Sequence, residues 1–234
     1  MDVLGDAITR DRRSEKAALS VPALGRQYDY RRFCTNAWKT GNFLRHLGVR
    51  GGASAAIADD PAPEPILTFY GAAALGASVA FDPSGTIGDE TRALVIPVTD
   101  IERHAVGPST KRIVYGGRPT DPSVSYFERD VWSENPTAPP DHVNPSETLL
   151  VTESARYSHG EILTAANAVV DEYGIDSNAS ITVAGSFADA NVVAAGLVAP
   201  IVAGAEIVLD TDATDGLVVG GSESDIERSV LDFP

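Results

Sequence analysis

The chain has 234 residues, 33 acidic and 18 basic, for a formal charge of −15 at neutral pH. Spread along the chain, that charge argues against nucleic acid or an anionic membrane as a partner, and no apolar run approaches the ~20 residues of a membrane span. A lone cysteine, Cys34, excludes an internal disulfide and reads as a small buried hydrophobe. The bases are fifteen Arg and three Lys (Lys16, Lys39 and Lys111), and the acids favour Asp. An Asp-rich, Lys-poor folded chain has the composition of a cytoplasmic protein from a salt-loving archaeon. At ~1 M salt the Debye length falls to about 3 Å, so the self-repulsion is screened. No apolar h-region of a signal peptide opens the chain. The charge thus describes a high-salt cytosol more than an activity.

In chain order, a short strand is expected over Ala17–Val21. Asp29 then precedes a helix in which Phe33, Ala37, Gly41, Leu44 and Leu47 recur at helical spacing, with Gly48 as its stop. "SAAIA" is a short buried strand, "PEPILTFYGAAALG" a second helix ending at Gly76, and "ASVAFD" a strand broken by Pro83-Ser84-Gly85. "ALVIPV" and "KRIVYGG" read as strands around a short helix, Ile101–Val106. Residues 116–145 are rich in Pro and polar residues and read as a surface excursion. The 234 residues are taken as one α/β domain, with this excursion as the place where two lobes would divide. Beyond it come the strand "TLLVT", a helix over Ser158–Tyr173, the strand "ASITVAG" and the apolar helix "FADANVVAAGLVAPIVAG". The strands "EIVLD" and "GLVVGG" and a closing helix "SESDIERSVLDF" end the chain. Strand and helix alternate, and the strands are continuously apolar. This pattern predicts an α/β fold with mainly parallel sheets and helices on both faces.

Several of these segments together resemble a known family. "YDYRRFCTNAWKTGNFLRHLGVRGGASAAIADDPAPEPILTFYGAAALGASVAFDP" is similar to the opening of the AMP-forming adenylating enzymes, which include acyl-CoA synthetases, adenylation domains and luciferases. Tyr30, Leu47-Gly48-Val49, Gly52, Glu64, Gly71, Gly76-Ala77 and Pro83 stand in the family's order, and "GLVAPIVAGAEIVL" resembles its "gllaPLxaGAtvvl". The resemblance covers the family's N-terminal part. It implies the fold of the N-terminal subdomains of those synthetases.

In that family a strand leads into a segment such as "TSGTTGxPKGVxxTHxNL", whose hydroxyls, Gly amides and Lys hold the ATP phosphates. Backbone amides in such a turn form an anion nest, and the Lys adds a point charge. Here Thr152 and "SHGEIL" match the two ends, and "ESARY" replaces the Gly, Thr and Lys between them. Glu153 brings a negative charge to the triphosphate position, and Arg156 is the candidate cation. No counterpart appears for the aromatic-Gly-x-Thr-Glu turn, the ribose-binding Asp or the catalytic Lys. The resemblance therefore implies a residual nucleotide-loop position at Thr152, Ser154 and Tyr157, and an acyl-pocket position at Phe187 and Asp189. Phe187 matches the family's aromatic there; Ala188 and Asp189 stand where its His would be.

A structural reading competes at each point. Ser158 and Glu161 form a capping box, so "SARYSHGEIL" reads as a tight strand-to-helix connection. "LVVGGSESD" looks like a second phosphate cradle, but Glu223 and Asp225 would occupy the helix dipole, and Ser222-x-x-Asp225 and Ser224-x-x-Glu227 read as caps. His46, His104, His142 and His159 are scattered without zinc-ligand spacing, so no metal is expected. His159 and Asp59-Asp60 read as solvated groups, and Gly71 and Gly76 as permitting close helix–sheet packing. No catalytic residue is assigned, and no cofactor is expected beyond weak binding of ATP or AMP. The expected activity is binding without adenylation: of a small acyl or nucleotide-like ligand, a partner protein or a second copy. Two alternatives stand beside it. One is half of a split AMP-forming acid–thiol ligase completed by a partner chain. The other is an unrelated flavodoxin-like ligand binder.

Overall fold

The computed structural model describes residues 1–83, 87–210, 216–221 and 224–226. The chain opens with a 3-10 turn, Leu4–Ile8, then strand β1 (Ala17–Val21) and an unexpected β2 (Arg26–Asp29), joined through Gly25 in the left-handed conformation. Helix α1 (Tyr30–His46) starts where the Asp29 carboxylate accepts the Arg32 amide at 2.7 Å and buries Phe33, Cys34, Ala37, Gly41 and Leu44. Strand β3 (Ser54–Ile57), helix α2 (Pro63–Ala73) and strand β4 (Ser78–Phe81) follow as a β-α-β unit. Next come β5 (Thr91–Pro97), a 3-10 helix over Val98–Arg103 and β6 (Lys111–Tyr115). The short helix expected over residues 101–106 thus lies three residues earlier, directly after β5.

Within the 116–145 excursion the chain forms β7 (Ser125–Tyr126) and helix α3 (Phe127–Asp130). It then crosses α1: the Asn42 amide donates to the Asn135 and Thr137 carbonyls, and Arg45 pairs with Asp141 at 3.1 Å. Strand β8 (Thr148–Val151), another unexpected strand, β9 (Arg156–Ser158), and helix α4 (His159–Tyr173) follow, the helix ending at left-handed Gly174. The chain continues with β10 (Ser180–Val183), helix α5 (Ala190–Val192), a π-helical stretch over Val193–Val198, helix α6 (Ala199–Ala203), β11 (Glu206–Leu209) and β12 (Leu217–Val219). The π stretch has a physical cause. Pro200 lacks an amide hydrogen, and its ring conflicts with the carbonyl four residues back in regular α geometry. Most of the expected closing helix, with Ser222, Glu223 and Glu227, lies outside the described residues. Ser224 and Asp225 bond back onto β12, where the Ser224 Oγ accepts the Gly220 amide and the Asp225 carboxylate accepts the Val218 amide.

The strands form two mainly parallel sheets. The larger has the order β7-β6-β5-β3-β4-β8-β9, and the smaller β12-β10-β11-β1-β2. Only the edge strands β9 and β2 run antiparallel to their neighbours among the described pairs. Helices α1, α2 and α4 and the α5–α6 run lie between the sheets, with α1 on β1 and β2, α2 on β3 and β4, and α4 on β8 and β9. Gly71 allows α2 to approach α1: a Cβ there would lie 2.7 Å from the Gly41 amide nitrogen. Its role is therefore helix-on-helix packing rather than the helix-on-sheet packing expected. Buried aromatics reach across this layer and satisfy their polar tips. Tyr30 donates to the Ala205 carbonyl and Tyr70 to the Leu197 carbonyl, each at 2.7 Å, and the Trp38 indole donates to Ile8 at 2.9 Å. Among the described residues no helix is long and apolar enough to cross a membrane.

Candidate functional site: a cleft over the larger sheet

The outer faces of the two sheets differ. On the smaller sheet, Ser20, Ser180 and Gln27 all donate to the Glu206 carboxylate. On the larger sheet, Ile87, Leu94, Ile96, Val114 and Val124 form a satellite core over β5 and β6, covered by Val98 and Ile101. Over β3 and β4 the outward positions are small: Ser54 and Ala56 on one strand, Ser78 and Ala80 on the next. A cleft of about 740 Å³ runs along this floor. Thr152, Ser154, Arg156 and Tyr157 form one wall, and Gly88, Glu90 and Thr91 another. Asp82 and residues 188–191 stand at the strands' C-terminal ends.

The wall at 152–157 is a β-hairpin. The Thr152 amide donates to the Ala155 carbonyl at 2.9 Å, and the Ala155 amide donates back to Thr152 Oγ1 at 3.1 Å. Glu153 and Ser154 are the exposed tip, and the returning β9 pairs Arg156 with Val151 and Tyr157 with Leu150. Two amides that could have faced an anion are therefore used inside the turn, and a carboxylate caps it. The capping box expected at Ser158 is present: Ser158 Oγ accepts the Glu161 amide at 3.2 Å, and the Glu161 carboxylate accepts the Ser158 amide at 2.7 Å. The Ser158 hydroxyl also donates to the Glu161 carboxylate at 2.6 Å, and this bond, with that from the Ser158 amide, holds the Glu161 carboxyl below its ordinary pKa. The strand-to-helix connection is thus longer and more ordered than a simple turn.

Of the five site residues read from the sequence, Thr152, Ser154, Tyr157 and Asp189 line this one cleft. Asp189 also caps α5, its carboxylate accepting the Asn191 amide at 2.9 Å. Phe187 is elsewhere. It is buried and packs edge-on against Phe81 with centroids 5.4 Å apart, in the core beneath the cleft's end.

Two groups read as solvated are structural instead. The Asp59 carboxylate accepts the Phe187 amide at 2.9 Å, and Asp60 accepts the Tyr115 hydroxyl at 2.7 Å. Burial and the Asp60 charge push the Tyr115 hydroxyl's pKa well up. His159 is fully buried. Its Nδ1 accepts the Leu4 amide at 3.1 Å, so it ties down the N-terminal turn, and desolvation lowers its pKa to about 4. A second cavity of about 540 Å³ holds Asp59, Asp60, Asp82, Asp100 and His104. Among the described residues no group of three acidic, His or Cys side chains is placed to hold a metal ion.

Sequence reasoning missed the cleft's hydroxyls. Ser54 and Thr91 are Cα partners on adjacent strands and only 8% and 5% exposed. Both line the cleft, and neither side chain has a hydrogen-bond partner among the described residues. The available signal was the repeat of Ser-x-Ala at outward positions in two successive strands, "SAA" and "SVA".

No family model matches the sequence, and no curated protein does. Solved structures match the fold closely. An anthranilate-CoA ligase, AuaEII, solved with anthranoyl-AMP, superposes with a TM-score of 0.76 at 19% identity, covering 90% of this chain and 45% of that one. The chain has the fold of the N-terminal part of the AMP-forming CoA ligases. The N-terminal domain of FACL13 from Mycobacterium tuberculosis gives a TM-score of 0.75 at 14% identity, over 89% of this chain and 57% of that one. A benzoate-CoA ligase from Burkholderia xenovorans LB400 gives 0.74 at 18% identity, over 89% and 45%. The chain spans about half the length of these matched proteins. The flavodoxin-like alternative therefore gives way to the fold of the ligases' N-terminal part.

Proposed function

We propose that this chain is a binding protein on a CoA-ligase N-terminal fold, without adenylation chemistry of its own, and that it works through the cleft over the larger sheet. The observation that carries this reading is the hairpin at 152–157. Adenylation needs a positioned triphosphate and stabilisation of departing pyrophosphate. At the matching position the Thr152 and Ala155 amides bond within the turn, no Gly or Lys is present, and Glu153 sits at the tip. These residues do not fit a triphosphate. A cleft of about 740 Å³ lies within the range of small-molecule sites.

A second reading is half of a split acid–thiol ligase, completed by a partner chain that supplies the nucleotide-binding groups. The likeness of the fold to the N-terminal part of the matched ligases supports it. Calorimetry with ATP and AMP in molar KCl tests the first reading, with no binding tighter than millimolar expected. Micromolar ATP binding by this chain alone would overturn it. Carboxylate-dependent pyrophosphate exchange that appears on adding a partner chain would establish the second.

A further inference from the structure

We propose that the cleft binds a linear aliphatic diamine or polyamine, with one primary ammonium group held by Ser54, Thr91 and Glu90. This rests on the reading of the cleft as a binding site without nucleotide chemistry.

The first support is the pair of hydroxyls. Ser54 and Thr91 stand side by side on β3 and β5, open to the cleft and without protein partners among the described residues. The residues are otherwise buried, but their oxygens open onto the cleft, and a polar atom so placed with no protein partner is free to take a ligand group. Glu90 stands beside them. Its carbonyl accepts the Ser54 amide at 3.1 Å, and its carboxylate folds back over Gly88, where a Cβ would lie 2.8 Å from Oε2. Two hydroxyl oxygens and one carboxylate make three acceptors. A primary ammonium has three N–H donors and no lone pair, so it matches this set. A carboxylate or phosphate would meet Glu90 as a like charge.

The second support is what lies beyond. From this corner the floor continues along Ala56 and Ala80, whose single methyl groups leave room for an unbranched chain against the sheet. At ~3.3 Å rise per residue, the strands carry the cleft roughly 10 Å to their C-terminal ends. There Asp82, Glu153 and Asp189 stand with Arg156, so four carboxylates including Glu90 face one guanidinium along the lining. Acceptors at one end, an apolar floor and acidic groups at the other describe a molecule with cationic ends and a methylene middle.

The test is calorimetry on the whole chain at one fixed salt concentration, with spermidine, diaminooctane, diaminopropane and octylamine as probes. Spermidine and diaminooctane should bind about tenfold more tightly than diaminopropane, which is too short, and octylamine, which has one charge. Glu90→Gln, at an exposed position, should weaken binding about tenfold, as should the double variant Ser54→Ala with Thr91→Val. Ala80→Leu, which changes no charge, should abolish binding by filling the floor while the circular dichroism spectrum is kept. If Ala80→Leu does not fold, Glu90→Gln decides the same point. Equal affinity for the short and long diamines, or affinity unmoved by Glu90→Gln and Ala80→Leu, would mean diffuse attraction to an acidic surface and overturn the proposal. No heat from any amine would overturn it too. That result would leave the parent reading standing, since only the ATP titration decides whether this fold handles nucleotide.

Discussion

The outer faces of the two sheets are made from the same kind of strand and end differently. On the smaller sheet Glu206 gathers Ser20, Gln27 and Ser180, while Thr182, 4% exposed on the same face, has no side-chain hydrogen bond among the described residues. On the larger sheet Ser54 and Thr91 likewise have none among the described residues. Polar groups on a sheet face that satisfy each other stabilise the fold. Polar groups left unpaired over a cleft weaken it, and such a weakness persists where something binds. What separates the faces is the cleft: Ser54 and Thr91 line it, and the proposed binding function uses it.

Three experiments would break or sharpen that contrast, and the largest effect is expected in the layer that both faces share. Glu64 is almost wholly buried on α2 and pairs with Arg26 of β2 at 2.6 Å, with burial raising its pKa and Arg26 opposing the rise. Arg26→Ala should cost about 3–5 kcal/mol in urea unfolding by leaving that carboxyl alone. Adding Glu64→Leu should recover much of the loss. A small cost for Arg26→Ala would mean that the interlayer frame does not depend on this pair.

Next in size is His159. Its folded pKa of about 4 lies below the ordinary value of 6.5, so between those values the unfolded chain binds a proton that the folded chain does not. Stability should therefore fall as pH drops from about 6.5 to about 4 and gain no further slope from this group below that. The total is roughly 3 kcal/mol. Glu147 and Asp6 are the nearby acids that oppose the shift. His159→Gln should remove this component from the pH–stability profile, and an identical slope in both proteins would refute the assignment.

The smallest effects test the faces themselves. Glu206→Ala should cost about 1 kcal/mol, since three donors lose their acceptor at a partly exposed site. Thr91→Val should cost nothing or stabilise by up to about 1 kcal/mol, because it replaces a cleft-facing hydroxyl with no protein partner among the described residues by a methyl of similar size. Equal losses in chemical denaturation would erase the distinction between the faces.

Much of this fold could be read from the chain. The stripe from Phe33 to Leu44, the Ser158–Glu161 box and the apolar strands all depend on neighbours within a few residues, and the structure places them as expected. The edge strands β2 and β9 escaped because "RQYD" and "RYS" are short and polar and become strands only by pairing with β1 and β8. The same holds for His159. Nothing local marks it as buried, since its partner, Leu4, is 155 residues away. Thr152, Ser154 and Tyr157, singled out through the family pattern, line the cleft, whereas Phe187 packs in the core through a contact with Phe81 that no spacing shows.

By itself the sequence determined the order of the main strands and helices, the caps, the acidic composition and the absence of Gly and Lys between Thr152 and Ser158. All of these follow from residue chemistry or from periodicities of two and 3.6. Only the tertiary structure decided which carboxylates are structural, which hydroxyls lack partners, and that Ser54, Thr91, Thr152 and Asp189 share one cleft. The reason is geometric. In a parallel sheet neighbouring strands come from distant parts of the chain, so the side chains that share a face are set by strand order, which local pattern does not encode.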